Sequence, residues 1–290
     1  MEYVTLNNGV KMPQLGYGLY LIDNSEAARC TRQALETGYR LIDTAQMYGN
    51  ESGVGEGIRE SGVDRKDIFL VSKIWPSDYG YEKAKARIDK SLELLKTDYL
   101  DLMLLHQPFG DTYGAYRALE DAYREGKIRA IGVSNFYADR LLDIASNVDV
   151  KPAIDQVETH VFNQESDVRA VAQEFGTVVM GWGPLAQGKL GIFDNETLKK
   201  VAAAHGKTVS QVALRYLLQL GIIVIPKSTH VERMKENLDV FDFTLSSNEM
   251  AESKSPSEVY LKTGFKNLSH FSTAFKKEYG VPPSHLTAVG

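Results

Sequence analysis

Cysteine is almost missing from this chain of 290 residues: Cys30 is its only one. A lone thiol cannot close an internal bridge, which excludes a disulfide-stapled scaffold and fits a reducing compartment. Cys30 itself reads as a small buried residue on a helix. Long apolar runs are also missing, since Leu100–Leu105 and Ile222–Ile225 are far too short to span a bilayer. The opening Met1-Glu2-Tyr3-Val4-Thr5 lacks the basic stretch and apolar stretch of a secretory leader. The expected location is therefore the cytoplasm, with no membrane partner. Positive charge is short as well: 33 Lys+Arg against 38 Asp+Glu leave a net −5, so no protein-wide field draws the chain onto nucleic acid. Four motifs are absent too. No GxGxxG follows a strand, no HExxH or paired-cysteine spacing gathers the six histidines into a metal site, and no GxSxG offers a serine nucleophile. With 43% hydrophobic and 24% charged residues, what is present is an ordinary globular composition.

Short apolar runs rich in β-branched residues recur along the chain: Leu41-Ile42, Ile68–Val71, Leu100–Leu105, Ile128–Val133, Ala153–Val157, Val178–Met180 and Ile222–Ile225. Between them lie stretches with helical spacing, such as Ser25–Thr37, Glu82–Lys96, Tyr113–Glu125, Gln164–Phe175 and Ser210–Leu220. An early strand near Gln14–Leu19 brings the strands to eight. Strand and helix alternating at this spacing predict an α/β fold, a (β/α)8 barrel, in preference to an open sheet. Val4–Val10, with an Asn-Gly turn between apolar flanks, predicts a hairpin capping one mouth of the barrel.

In such a barrel, chemistry gathers at the carboxyl ends of the strands. There the sequence offers Asp43 and Tyr48, Lys73, His106, Ser134-Asn135, Gln156, Trp182 and Lys227-Ser228 in turn. A helix cap, a half-buried aromatic, a solvated strand end and a satisfied core histidine would explain Asp43, Tyr48, Lys73 and His106 one at a time. Random placement does not put a polar group at nearly every strand end of one mouth. Tyrosine, with an ordinary pKa near 10, is a poor acid at neutral pH unless an ammonium stabilises its phenolate. Lys73 is the expected source of that charge, with Asp43 holding Lys73 in place and His106 donating to a substrate oxygen. Proton donation to a carbonyl oxygen, the partner of hydride transfer, is the chemistry these residues suit. In the eighth unit Lys227, Ser228, Thr229 and Arg233 cluster at a strand end and helix start and suit a phosphate dianion. Trp182 offers a flat face for stacking a nicotinamide ring, although a core tryptophan would look the same.

These residues occur in stretches that closely resemble the aldo-keto reductase superfamily: Gly38 to Glu51, Val71 to Trp75, Leu104 to Pro108, Ile131 to Phe136, Gln156-Val157-Glu158, and Ile225 to Asn237. The resemblance covers residues 1 to about 251. It implies a (β/α)8 barrel that reduces aldehydes or ketones with NADPH, with Tyr48 as general acid, Lys73 and Asp43 tuning it, and His106 orienting the carbonyl. It further implies that Ser134, Asn135 and Gln156 hold the nicotinamide carboxamide, Trp182 stacks on the ring, and Leu185 and Gln187 line the pyrophosphate. Lys227, Ser228 and Arg233 would meet the 2′-phosphate, Glu236 and Asn237 the adenine, and Tyr20 and Trp75 the substrate. The sequence departs from the family at Gly183, where serine is usual. By resemblance to bacterial members, small reactive dicarbonyls or sugar-derived ketones are plausible substrates.

From Glu252 the text changes. Residues 255–265 and 267–280 read as two short helices separated by a glycine turn, and residues 255–286 resemble the second helix-turn-helix of AraC-family regulators. Over residues 252–290, five lysines against three glutamates are too little charge for strong phosphate attraction. The expectation is two parts, a barrel over 1–251 and a helical tail over 252–290 that caps it without binding nucleic acid. A monomer is expected; pairing through Phe271 and Phe275 is the alternative. Two other functional readings stand beside the reductase: an NADP(H)-sensing regulator with a DNA-binding tail, and a cofactor-binding barrel with impaired catalysis.

Overall fold

The computed structural model describes residues 1–252. The two expected tail helices, with Phe271 and Phe275, lie outside the described residues. After an antiparallel hairpin of β1 (Tyr3–Thr5) and β2 (Lys11–Pro13), eight parallel strands follow in chain order. They are β3 (Tyr17–Gly18), β4 (Leu41–Asp43), β5 (Phe69–Ile74), β6 (Leu102–Leu105), β7 (Ile131–Ser134), β8 (Ile154–Glu158), β9 (Val178–Trp182) and β10 (Ile223–Val224), each paired to the next. Helices α1 (Asn24–Thr37), α2 (Glu51–Glu60), α3 (Tyr81–Leu95), α4 (Thr112–Arg124), α5 (Ala138–Asn147) and α6 (Ser166–Phe175) fill the connections. Helices α7 (Glu196–His205), α8 (Val209–Gln219), α9 (Val231–Leu238) and α10 (Ser247–Glu252) complete the order. The helices expected from periodicity match α1, α3, α4, α6 and α8 to within two residues. The third barrel strand, expected over Ile68–Val71, continues to Ile74 and so takes Lys73 into the sheet.

The sheet closes on itself. The amide of Gly16 donates to the Val224 carbonyl at 2.8 Å, that of Val224 to Gln14 at 3.0 Å, and that of Gly18 to Pro226 at 3.2 Å. Gly18 is required here by proximity: a Cβ at this position would lie 2.9 Å from the Ile225 carbonyl oxygen.

Both faces of the strands are buried, which is why they read as apolar runs without alternation. Alternation exists in space nonetheless. Leu41, Phe69, Val71, Leu102, Leu104, Ile154, Met180, Ile223 and Ile225 pack together inside the barrel. Ile42, Leu70, Ile74, Met103, Leu105, Val133, Val157 and Val224 pack outward under the helices. The hairpin contributes Leu6 and Met12 to the inner cluster. Asn7 Nδ2 donates to the Pro152 carbonyl at 3.1 Å and Asn8 Nδ2 to that of Arg129 at 3.0 Å, so the hairpin plugs the mouth at the amino ends of the strands, as expected. Cys30 is a fully buried, unpaired residue of α1. Among the described residues no helix is long and apolar enough to cross a membrane.

Replacing Gly18 by alanine should force the β3–β10 seam apart and cost about 1–3 kcal/mol of stability. Denaturant unfolding checks it; an unchanged midpoint would mean that the seam yields freely.

Candidate active site

The two-residue period of the strands carries the chain from core to chemistry. Leu41 is followed two residues on by Asp43, Val71 by Lys73, Leu104 by His106, Gly132 by Ser134, Ile154 by Gln156, Met180 by Trp182 and Ile225 by Lys227. Each apolar inward position is thus succeeded, one layer higher, by a polar or aromatic one at the carboxyl mouth. The neighbouring outward position behaves differently. Asp155 is fully buried beneath the helices, and burial holds its carboxyl well above the usual carboxylate range.

Lys73 lies at the centre, fully buried. Its Nζ donates to Asp43 Oδ1 at 2.5 Å, to the Thr44 carbonyl at 2.9 Å and to Tyr48 Oη at 3.3 Å. The second Asp43 oxygen accepts from Gln156 Nε2 at 2.8 Å, so the carboxylate is bonded on both sides. Tyr48 closes a single turn of 3-10 helix, Gln46–Tyr48, that follows β4 and ends at Gly49 in the left-handed region (φ 67°). Gln46 braces that turn: its Oε1 accepts from the Trp75 amide at 2.9 Å and its Nε2 donates to Asp78 Oδ2. The rings of Tyr20 and Tyr48 lie 5.1 Å apart, and that of Trp75 stands edge-on to His106 at 5.0 Å.

Burial is the largest single influence on Lys73 and disfavours its charge. Asp43, Tyr48 and the hydrogen bonds to both outweigh it and hold the ammonium above its ordinary pKa. For Tyr48 the balance corrects the reading from sequence. Burial raises its pKa more than the nearby Lys73 lowers it, so the phenol is a weaker acid than in water and stays protonated. Lys73 moderates that rise without reversing it. Burial, with Lys73 adding to it, drops His106 from 6.5 to about 3, leaving the imidazole neutral. Its Nδ1 is buried and has no hydrogen-bond partner among the described residues. A proton there would be a buried donor with no acceptor, which favours the tautomer that carries its hydrogen on Nε2.

Tyr20, Asp43, Tyr48, Trp75 and His106 line one end of a cavity of about 960 Å³. It continues past Ser134, Asn135, Gln156 and Trp182, along Gly183, Leu185 and Gln187, to Lys227, Ser228, Arg233, Glu236 and Asn237. The other site residues named from the sequence thus line one trough; Lys73 lies buried beneath it, and Thr229 is not among its lining residues. The amides are already engaged: Asn135 Nδ2 donates to the His106 carbonyl at 3.0 Å, and Trp182 Nε1 donates to Asn135 Oδ1 at 3.0 Å. Ser134 Oγ donates to the Gln156 carbonyl at 2.8 Å. Asn135 itself sits in the left-handed region (φ 62°), which aims its amide across the mouth.

The aldo/keto reductase family profile matches residues 13–258. The chain belongs to the aldo/keto reductase family. Among its relatives, a glyoxal reductase of Bacillus subtilis is 47% identical over 251 residues, 86% of this chain and 90% of that protein. A 9,11-endoperoxide prostaglandin H2 reductase of Trypanosoma cruzi is 45% identical, covering 85% and 88%. Among solved structures, an aldo/keto reductase of Brucella melitensis superposes with a TM-score of 0.84 at 41% identity over 87% of this chain and 98% of that one. The aldo-keto reductase of Bombyx mori in complex with NADP gives 0.83 at 33% identity, covering 87% and 92%.

For this aldo/keto reductase, the departure at Gly183 falls on backbone in the left-handed region. Its φ is 63°, a conformation in which a side chain is strained. Sequence reasoning missed other lining residues, among them Leu21, Met47, Gln107 and Phe193. Leu21 and Gln107 lie in irregular segments and Met47 and Phe193 in single turns of 3-10 helix, all too short for a periodicity to mark a facing direction.

The His106 shift has a pH consequence. Above 6.5 the ring is neutral folded or unfolded; below it the unfolded chain takes up a proton that the folded one refuses until about 3. His106 therefore subtracts stability progressively as pH falls across that window. His106→Gln should flatten the acid-side decline of the thermal midpoint; an unchanged slope would contradict a neutral buried imidazole.

Proposed function

We propose that this aldo/keto reductase reduces aldehydes and ketones to alcohols with NADPH, and that Tyr48 delivers the proton. The observation that carries the proposal is the Tyr48 hydroxyl, 3.3 Å from a buried ammonium and facing an open cavity beside a neutral imidazole.

The residues of the trough suit the dinucleotide. Among the described residues neither Lys227 nor Arg233 has an ion-pair partner, and both are exposed at its far end, where an anion would be welcome. We assign them, with Ser228, to the 2′-phosphate, Glu236 and Asn237 to the adenine, and Leu185 and Gln187 to the pyrophosphate. Gln156, Ser134 and Asn135 would hold the carboxamide, and Trp182 would cover the nicotinamide face. When bound, NADPH supplies the hydride.

The protein's own part is the proton and the charge. His106 Nε2–H donates to the carbonyl oxygen and fixes it next to Tyr48. As negative charge grows on that oxygen, the Tyr48 hydroxyl gives up its proton, and the phenolate left behind is stabilised by the Lys73 ammonium. Asp43 keeps that ammonium charged and aimed. Tyr20 and Trp75 wall the carbonyl on its apolar side and keep water from competing.

We place the activity in the cytoplasm, with Cys30 buried and unpaired as its support, and assign it to a barrel of residues 1–251 acting on small-molecule carbonyls.

Tyr48→Phe should lower kcat by about 10²–10⁴-fold while NADPH still binds; undiminished turnover would overturn the assignment. Arg233→Ala should raise the KM for NADPH by about 10-fold, the loss of one charge-assisted contact, and leave that for NADH unchanged. Equal effects on both cofactors would move the phosphate elsewhere.

A further inference from the structure

Asn50 stands at the N-cap of α2, where an asparagine ordinarily bonds the free amides of the first turn. Here its side chain makes no such bond. The Gly53 amide is taken instead by Asn24 Oδ1, at 2.9 Å from α1. Released from capping, the fully buried Asn50 amide turns the other way. Its Nδ2 donates to the Leu19 carbonyl at 3.0 Å and to that of Ile22 at 2.8 Å, and its Oδ1 accepts from Thr44 Oγ1 at 2.6 Å.

The three partners belong to the site. Thr44 supplies, through its main-chain carbonyl, one of the three acceptors of Lys73. Leu19 and Ile22 bracket Tyr20, whose ring meets that of Tyr48. One buried amide thus joins the loop that carries Tyr20 to the residue that holds Lys73. Neither Asn50 nor Thr44 touches the reacting atoms.

We propose that Asn50, acting through Thr44, is a positioning residue for proton donation: it fixes the Thr44 carbonyl under Lys73 and so sets the distance from the ammonium to the Tyr48 hydroxyl. The proposal rests on the reading of Tyr48 as the acid.

Tyr48 is faced by Asp43 from β4, Lys73 from β5, His106 after β6 and Tyr20 after β3. Of these, Lys73 alone carries a charge that favours the phenolate; Asp43 and Tyr20 oppose it and His106 is neutral. Coulombic attraction falls with distance, so a displaced Lys73 leaves burial and Asp43 to push the phenol further up.

The test compares Thr44→Val, which keeps the shape and removes the hydroxyl, with Thr44→Ser, which keeps the hydroxyl, and with Asn50→Ala. For each, the pH dependence of kcat, the affinity for NADPH and the thermal midpoint are measured. Thr44→Val and Asn50→Ala should lower kcat by about 10-fold or more, as small misplacements of catalytic groups do. They should also move the alkaline limb of the profile to higher pH, with NADPH affinity retained, and Thr44→Ser should restore the parent profile. If Asn50→Ala does not fold, the Thr44 pair decides alone. A folded Thr44→Val enzyme with the parent limb and kcat would reduce the link to ordinary packing and overturn the proposal, even with Tyr48→Phe inactive. Turnover retained by Tyr48→Phe would instead remove the acid itself, and the proposal with it.

Discussion

A full positive charge held inside the barrel, the ammonium of Lys73, governs the arrangement of the mouth. Taking such an ion out of water costs several kcal/mol unless its environment replaces the lost hydration. All three N–H bonds of Lys73 therefore need acceptors, and Asp43, Thr44 and Tyr48 provide them. Asp43 in turn needs its second oxygen bonded, which employs Gln156. The same charge helps to keep His106 neutral and limits how far burial raises the Tyr48 phenol. One buried ion thus fixes an anion, a neutral imidazole and a proton-bearing phenol within a single layer of side chains.

Much of this was legible in the sequence because a parallel barrel has a strict grammar. Runs such as Phe69-Leu70-Val71 announce strands buried on both faces, and the next inward position is the site. That is why Asp43, Lys73, His106, Gln156 and Trp182 could be named from spacing. The strength of the acid could not. Burial of Tyr48 depends on Tyr20, Trp75 and the turn after β4 coming together, and no local pattern records how much water they exclude. Asn50 shows a second limit: its position before a helix favours an ordinary cap, and only the arrival of Asn24 from another helix reassigns it.

The two layers of the core divide the labour. The inner cluster of Leu41, Val71, Leu104, Ile154 and Met180 is a solid floor, closed below by Leu6 and Met12 of the hairpin. A rigid floor holds the polar layer above it within small tolerances, which the chemistry demands. The rim is more open: Tyr20 is 47% exposed and Leu21 75%. The barrel thus keeps its polar chemistry deep and its exposed apolar side chains at the edge.

The seam between β3 and β10 has a temporal meaning. Tyr17 Oη donates to the Ser228 carbonyl across 211 residues of chain, and the ladder that closes the cylinder joins the same two regions. As the ribosome releases the polypeptide from its amino end, the strands before the last can pair in order, yet the ring stays open, with the edges of β3 and β9 both unpaired, until Val224 and Pro226 emerge. Contacts of such long sequence separation form slowly. The segment that completes the ring runs directly into Lys227 and Ser228, so the strand that closes the barrel also carries in the far end of the trough.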